Sequence, residues 1–287
     1  FFFFFIEDVP WFNFWRMQHK AVTGPCFFFF FYSFYNRARL VVLLGQWNKA
    51  ELARGESLDV AEQLGQWLGT VGSVKLSRAL HAIESLPRQQ ADPETTPDLR
   101  ALNKVFQTTR AELIDLIRSP VVPPRPVRQR ADNTPVAKPN PREGADFSAL
   151  APRYLALQKQ IENRLNALRT HLRSALANGS ATQRQLAALD GVMQQMLGER
   201  EQRLWALLPT QLDKRLTALR SAHESALEQS GQADEPQRWR KAGGWLWAFE
   251  QDLQALLLAE MQVRFQPIMG LLQALQAAHN EQNGSTG

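Results

Sequence analysis

The chain has 287 residues, 33 basic against 28 acidic, and a formal net charge of +5. That length allows one large domain or two smaller ones, with enough surface buried to build a real core. The single cysteine, Cys26, excludes an intrachain disulfide and a cysteine-based metal site, and fits a reducing cytoplasm. Acids and bases are mixed along the chain. That pattern describes a solvated, salt-bridged surface better than a dedicated nucleic-acid footprint.

Most of the 17 phenylalanines precede Tyr35, with runs at Phe1 to Phe5 and Phe27 to Phe31. The apolar run from Cys26 to Tyr35 is too short for a membrane span, and Asn36, Arg37 and Arg39 follow at once. Met17, His19 and Lys20 before that run faintly resemble a signal-peptide start, but no small-residue cleavage site follows. Residues 1–35 are therefore expected to be a leader foreign to the fold, either non-native sequence or disordered chain.

Residues 36–118 are expected to form a helical N-terminal domain. Asn36 to Trp47 reads as a short helix with Leu40, Leu43, Leu44 and Trp47 inward. Ser57 can cap a second, carrying Val60, Leu64, Trp67 and Leu68. Gly69 and Gly72 interrupt it. The Gly65 and Gly69 spacing suggests a tight contact between helices. Ser73 to Leu86 resumes with Leu76, Leu80 and Ile83 on one side and stops before Pro87. Thr96-Pro97-Asp98 is a helix start: a cap, a proline in the first turn, and an acid near the positive end. The helix it opens carries Leu99, Leu102, Val105, Phe106, Leu113 and Ile117, and ends at Ser119-Pro120.

Residues 119–146 read as a linker. Seven prolines from Pro120 to Pro141 forbid a helix or a buried strand. Arg125, Arg128, Arg130, Lys138 and Arg142 make it a basic tether. Residues 147–280 then repeat apolar residues three and four apart, which predicts long helices with one greasy stripe each. Ile161, Leu165, Leu168, Leu172 and Leu176 form the cleanest run, ending at Asn178-Gly179, a natural left-handed stop. Ser180 caps the next helix and Gln183 completes a capping box. Pro209 breaks or kinks it. The third, with Leu212, Leu216 and Leu219, ends before Gly231. Pro236 opens the fourth, which Gly243 and Gly244 postpone to Trp245; Pro267 kinks it, and it ends near Ala278. Residues 281–287 are expected to be a disordered tail. Short connections favour antiparallel neighbours, so an all-α bundle or coiled coil is predicted, with no strand anywhere.

No chemical motif stands out. His19, His81, His171, His223 and His279 are not paired at metal-ligand spacing, and neither a nucleophile elbow nor a phosphate-cradling loop is present. No catalytic, cofactor-binding or metal site is assigned. Two features remain. Arg200 falls inside the stripe of Leu189, Met193, Leu204 and Leu207, and Glu260 inside that of Phe249, Leu253, Leu256 and Leu257. A charge in an apolar stripe needs a partner, so Arg200 and Glu260 are expected either to pair across two helices or to snorkel to the rim. Trp239, Trp245, Trp247 and Phe249, beside Arg238, Arg240 and Lys241, are candidates for a core or an interface.

Two stretches carry a family likeness: Arg39 to Leu44 followed by Ala61 to Leu68 and Ser77 to Leu80; and Arg153 to Gln158 with Leu189-Asp190 and Phe249 to Glu260. Together they resemble a proteobacterial helical family catalogued as a domain of unknown function, over Asn36 to Ala278. The family has no assigned activity, so the resemblance carries over no site residue. It implies gene neighbours such as OmpA-like peptidoglycan-binding proteins and proton-channel-like membrane proteins, hence an accessory role beside an envelope-associated complex. The expected function is a non-enzymatic interaction or assembly subunit in the cytoplasm, or peripheral to the inner membrane. Its partners would be other protein subunits or a second copy; no cofactor and no transmembrane span are expected. A nucleic-acid binder using the basic linker and the arginine-rich helices is the alternative, and a peripheral membrane protein using Trp239 to Phe249 the third reading.

Overall fold

The computed structural model describes residues 38–47, 60–86, 98–119 and 145–284. The expected leader, most of the basic linker and the Ser57 cap lie outside them. The described residues hold α-helices and one short 3-10 turn, and no strand. In chain order the helices are α1 (Ala38–Trp47), α2 (Val60–Glu84), α3 (Leu99–Arg118), α4 (Phe147–Ala177), α5 (Ala181–Trp205), α6 (Leu208–Ser230) and α7 (Trp245–Gly284), with the turn at Pro236–Arg238 before α7.

Several helix ends follow from the sequence, and several do not. Ser180 and Gln183 form the reciprocal capping box at the start of α5. Gly231 ends α6 in the left-handed conformation, φ 63°. Asp98, rather than Thr96, caps α3, its carboxylate accepting from the Arg100 and Ala101 amides. The expected left-handed stop after α4 is absent: Asn178 is right-handed helical, and Gly179 has no positive φ. Gly69 kinks α2 with φ 61°, while Gly72 stays helical. A Cβ on Gly69 would meet nothing within 4 Å, so this glycine supplies backbone freedom instead of the expected close helix contact. α7 runs through Pro267 to Gly284, past the expected end near Ala278 and into the expected disordered tail.

Cross-helix pairs fix the directions. Arg169, Asn166 and Gln158 of α4 meet Asp190, Gln194 and the Trp205 carbonyl of α5, so the two helices are antiparallel. α6 continues that line, because Arg220 reaches Ala145 and Asp146 at the root of α4. Arg215 with Asp252, and Arg220 over the Trp245 ring, set α6 antiparallel to α7. α4 and α7 therefore run parallel, side by side at the centre. α3 runs antiparallel to α4, with Glu112 on Arg164 and Arg153 donating to the Ser119 carbonyl.

One apolar core joins these elements. Leu157, Ile161, Leu165, Leu168, Leu172 and Leu176 of α4 supply the stripe read from the sequence, and all are buried. α7 is buried nearly all round, from Trp245 and Phe249 to Leu275. Leu40 of α1 and Leu102, Phe106, Leu113 and Ile117 of α3 belong to the same cluster. Residues from both sides of segment 120–144 thus contribute to one core. Phe106 meets Phe265 edge to face, ring centroids 5.3 Å apart. Phe106→Ala should remove about 3–5 kcal/mol. Because the core is shared, urea denaturation should show one transition shifted as a whole, with no separate N-terminal step.

Candidate functional site

The most concentrated polar chemistry sits where the α5–α6 rod is interrupted at Ala206 and Leu207. In a continuous helix the amide of residue 209 would bond to the Trp205 carbonyl. Pro209 has no N–H, so that carbonyl is orphaned. Gln158 supplies the missing donor from α4: its Nε2 lies 3.4 Å from the Trp205 oxygen. The same amide nitrogen lies 3.1 and 3.2 Å from the two carboxylate oxygens of Glu260. Tyr154, one turn earlier, donates its phenol to Glu260 Oε2 at 3.1 Å. Arg264, one turn beyond Glu260, closes an ion pair at 2.7 Å and lays its guanidinium over the Trp205 ring, 4.7 Å from the centroid. Four helical positions on two parallel helices thus converge on one break in the antiparallel rod.

The carboxylate and the phenol are buried, while Gln158, Trp205 and Arg264 are partly exposed. Glu260 and Tyr154 are both 0% exposed. Burial raises the Glu260 pKa, while Arg264 and the hydrogen bonds from Gln158 and Tyr154 oppose that shift. Burial and the neighbouring carboxylate raise Tyr154 strongly, so the phenol stays a donor.

A second buried pair locks α4 to α5. Asp190, 0% exposed, accepts two bonds from Arg169, Nε at 3.0 Å and Nη2 at 2.7 Å. This is the fork geometry that favours arginine over lysine. Arg173 stands 3.6 Å from the same carboxylate and donates to Gln194. Asp190→Ala would strand Arg169 in a dry interface and should cost about 3–5 kcal/mol in chemical denaturation.

The sequence marked Glu260 as a charge in an apolar stripe and offered either pairing with Arg200 or a place at the rim; its partners are Arg264, Gln158 and Tyr154. The partner on the Arg200 side was inferred from a stripe that includes Leu204 and Leu207. Those leucines are 42% and 58% exposed, so that end of α5 is not core, and Arg200 is exposed with it. Arg264, Gln158 and Tyr154 take the place expected of Arg200. The aromatic candidates divide: Trp239, Trp245 and Phe249 are core residues, and only Trp247 is exposed. Trp239 donates its indole N–H to Asp234, which also meets His223, and His223 stacks on Trp245. Tyr154, Gln158, Arg169 and Asp190 were not singled out as site residues. Their signal was a polar side chain on or beside a leucine stripe, which is weak by itself.

Among the described residues, no cluster of three metal-ligating side chains occurs, and no helix is long and apolar enough to cross a membrane. The profile of a family described as Protein of unknown function (DUF3348) matches residues 33–277. The chain belongs to that family. No curated protein and no solved structure matches it. The match spans α1 through most of α7, so the whole bundle with its buried centre lies within the family's extent.

The centre predicts a pH dependence of definite sign. Glu260 holds its proton more firmly folded than unfolded. As pH rises past the ordinary value of 4.5, the unfolded chain ionises first, and Glu260 lowers stability until its folded pKa is passed. The difference in unfolding free energy, wild type minus Glu260→Gln, should therefore fall from pH 4.5 upward and then level off. A difference that rises with pH in urea titrations would contradict it.

Proposed function

We propose that the protein is a non-enzymatic interaction or assembly subunit. The observation that carries this is the state of α2. It packs on α5, yet none of its described side chains is buried. Its inward stripe, Leu76, Leu80 and Ile83, is only half covered, and Val71 and Val74 on the outer side are 69% and 51% exposed. Residues 69–84 of this helix gain little burial from the bundle, so a helix of a partner subunit, a second copy included, completes it. An accessory place beside an envelope-associated complex, on its cytoplasmic side, belongs to the same reading.

Sedimentation equilibrium should show a mass that rises with concentration if the partner is a second copy. Val71→Lys/Val74→Lys should return it to the monomer, with unfolding changed by no more than about 0.5 kcal/mol, as for ordinary surface substitutions. A chain monomeric at every concentration excludes self-association. A heterologous partner captured equally well by the double lysine variant excludes the α2 face.

A further inference from the structure

The connection between α4 and α5 holds the pair Asn178-Gly179. An asparagine followed by glycine is prone to close on itself, because no Cβ hinders the following nitrogen. The Gly179 nitrogen gives up its proton and bonds to Cγ of Asn178. The Cγ–Nδ2 bond breaks and ammonia leaves, which forms a cyclic imide. Water then opens one of its two carbonyl–nitrogen bonds, leaving aspartate or isoaspartate at position 178. Asn178 is exposed, so water and base reach its side chain.

The folded connection opposes each part of that reaction. The imide ring is flat, so closure needs the Gly179 nitrogen on the side of the Cα–C bond where Asn178 carries its Cβ. Asn178 has ψ −1°, which eclipses that nitrogen with its own amide nitrogen and turns it away from Cγ. The Gly179 N–H donates to the Leu176 carbonyl at 3.0 Å, so the proton that must leave is held. Arg184 Nη1 donates to the Gly179 carbonyl at 2.7 Å and fixes the next peptide plane. The Gln183 side chain covers Gly179 itself. A Cβ built there would fall 2.0 Å from Gln183 Oε1 and 2.7 Å from its Cδ. That oxygen accepts the Ser180 amide at 2.7 Å, so moving it aside would break the capping box. Glycine is needed here for close approach, at a position with no positive φ.

We propose that Asn178-Gly179 is a latent deamidation site that the α5 capping box keeps closed. Opening of the box frees the Gly179 nitrogen, and the chain then ages there by a covalent step. The change is lasting. It sets a carboxylate at the end of α4, where the helix dipole is already negative, and isoaspartate lengthens the backbone between Leu176 and Ser180 by a methylene. The proposal uses no residue of the α2 face and stands apart from that reading.

The test is incubation of the full chain at mildly alkaline pH, with aspartate and isoaspartate at position 178 read by peptide mass spectrometry. The peptide map separates this site from the second such pair, Asn283-Gly284. Folded wild type should react at least about tenfold more slowly than the chain in denaturing urea. Gln183→Ala should speed the folded chain about fivefold, the equivalent of about 1 kcal/mol for a lost cap. Gln183→Glu, whose carboxylate can still accept the Ser180 amide, should keep the wild-type rate. Phe106→Ala weakens the core without touching the connection, so it should stay slow as long as circular dichroism shows it folded. Equal rates folded and in urea, a folded Gln183→Ala chain no faster than the wild type, or equal acceleration by Phe106→Ala would each overturn the proposal.

Discussion

A carboxylate removed from water must be held by protein, and Glu260 is held by side chains of two helices at the point where a third ends. Tyr154 and Gln158 come from α4, Arg264 from its own helix α7, and the stacked Trp205 from the end of α5. Desolvating that charge is expensive, and its partners return the cost only in one arrangement. The register of α4 against α7, and the place where the α5–α6 rod bends, are therefore set together. A slip of one turn along α4 would separate Gln158 from both the carboxylate and the orphaned carbonyl. Apolar side chains alone would tolerate such a slip, because leucines at neighbouring turns are nearly equivalent.

The helix break and the buried charge are two aspects of one device. Pro209 deletes an amide, which frees the Trp205 carbonyl, and a part-buried free carbonyl gains from a donor. An amide side chain can serve a carbonyl and a carboxylate at once, since its two N–H groups point apart. Gln158 is the residue type that fits both demands. A lysine there would add a charge, and a leucine would leave two acceptors short. The bend in turn lets one antiparallel rod follow α4 along its later half as α5 and cover its beginning as α6.

How far this was legible depends on the kind of residue. Leucine and isoleucine at three and four apart announced α4 and α6 directly, because the period of burial is the period of the helix. Ser180 with Gln183 announced the start of α5 for the same local reason, and Pro209 its interruption. Glu260 announced a problem without its solution. A helical projection shows that a charge faces the core but treats every apolar stripe as covered along its full length. Leu204 and Leu207 break that assumption: they stand exposed at the bend, and Arg200 with them. Asp190 was harder still. It sits beside Leu189 in an amphipathic helix whose two faces are covered by different neighbours, α4 and α2, so its burial depends on a contact that the helix itself does not encode. The shared core was hidden for a related reason. A proline-rich stretch between two helical regions looks like a domain boundary, and only the packing of Phe106 on Phe265 shows that the chain returns to the same core across it.

The uneven coverage of the helices separates structure from function in this protein. α4, α5 and α7 turn some of their charged residues inward, on Arg169 with Asp190 and on Glu260 with Arg264, where they fix geometry and are largely shielded from solvent. α2 and the outward indole of Trp247 do the reverse: they leave apolar atoms in water. On the proposed reading, the apolar surface that α2 leaves outward is the part that meets a partner. The rigid centre supports that arrangement mechanically. A face presented for docking keeps its shape only if the helices beneath it cannot slide, and the fork of Arg169 and the three-way hold on Glu260 remove that freedom from α4, α5 and α7 together.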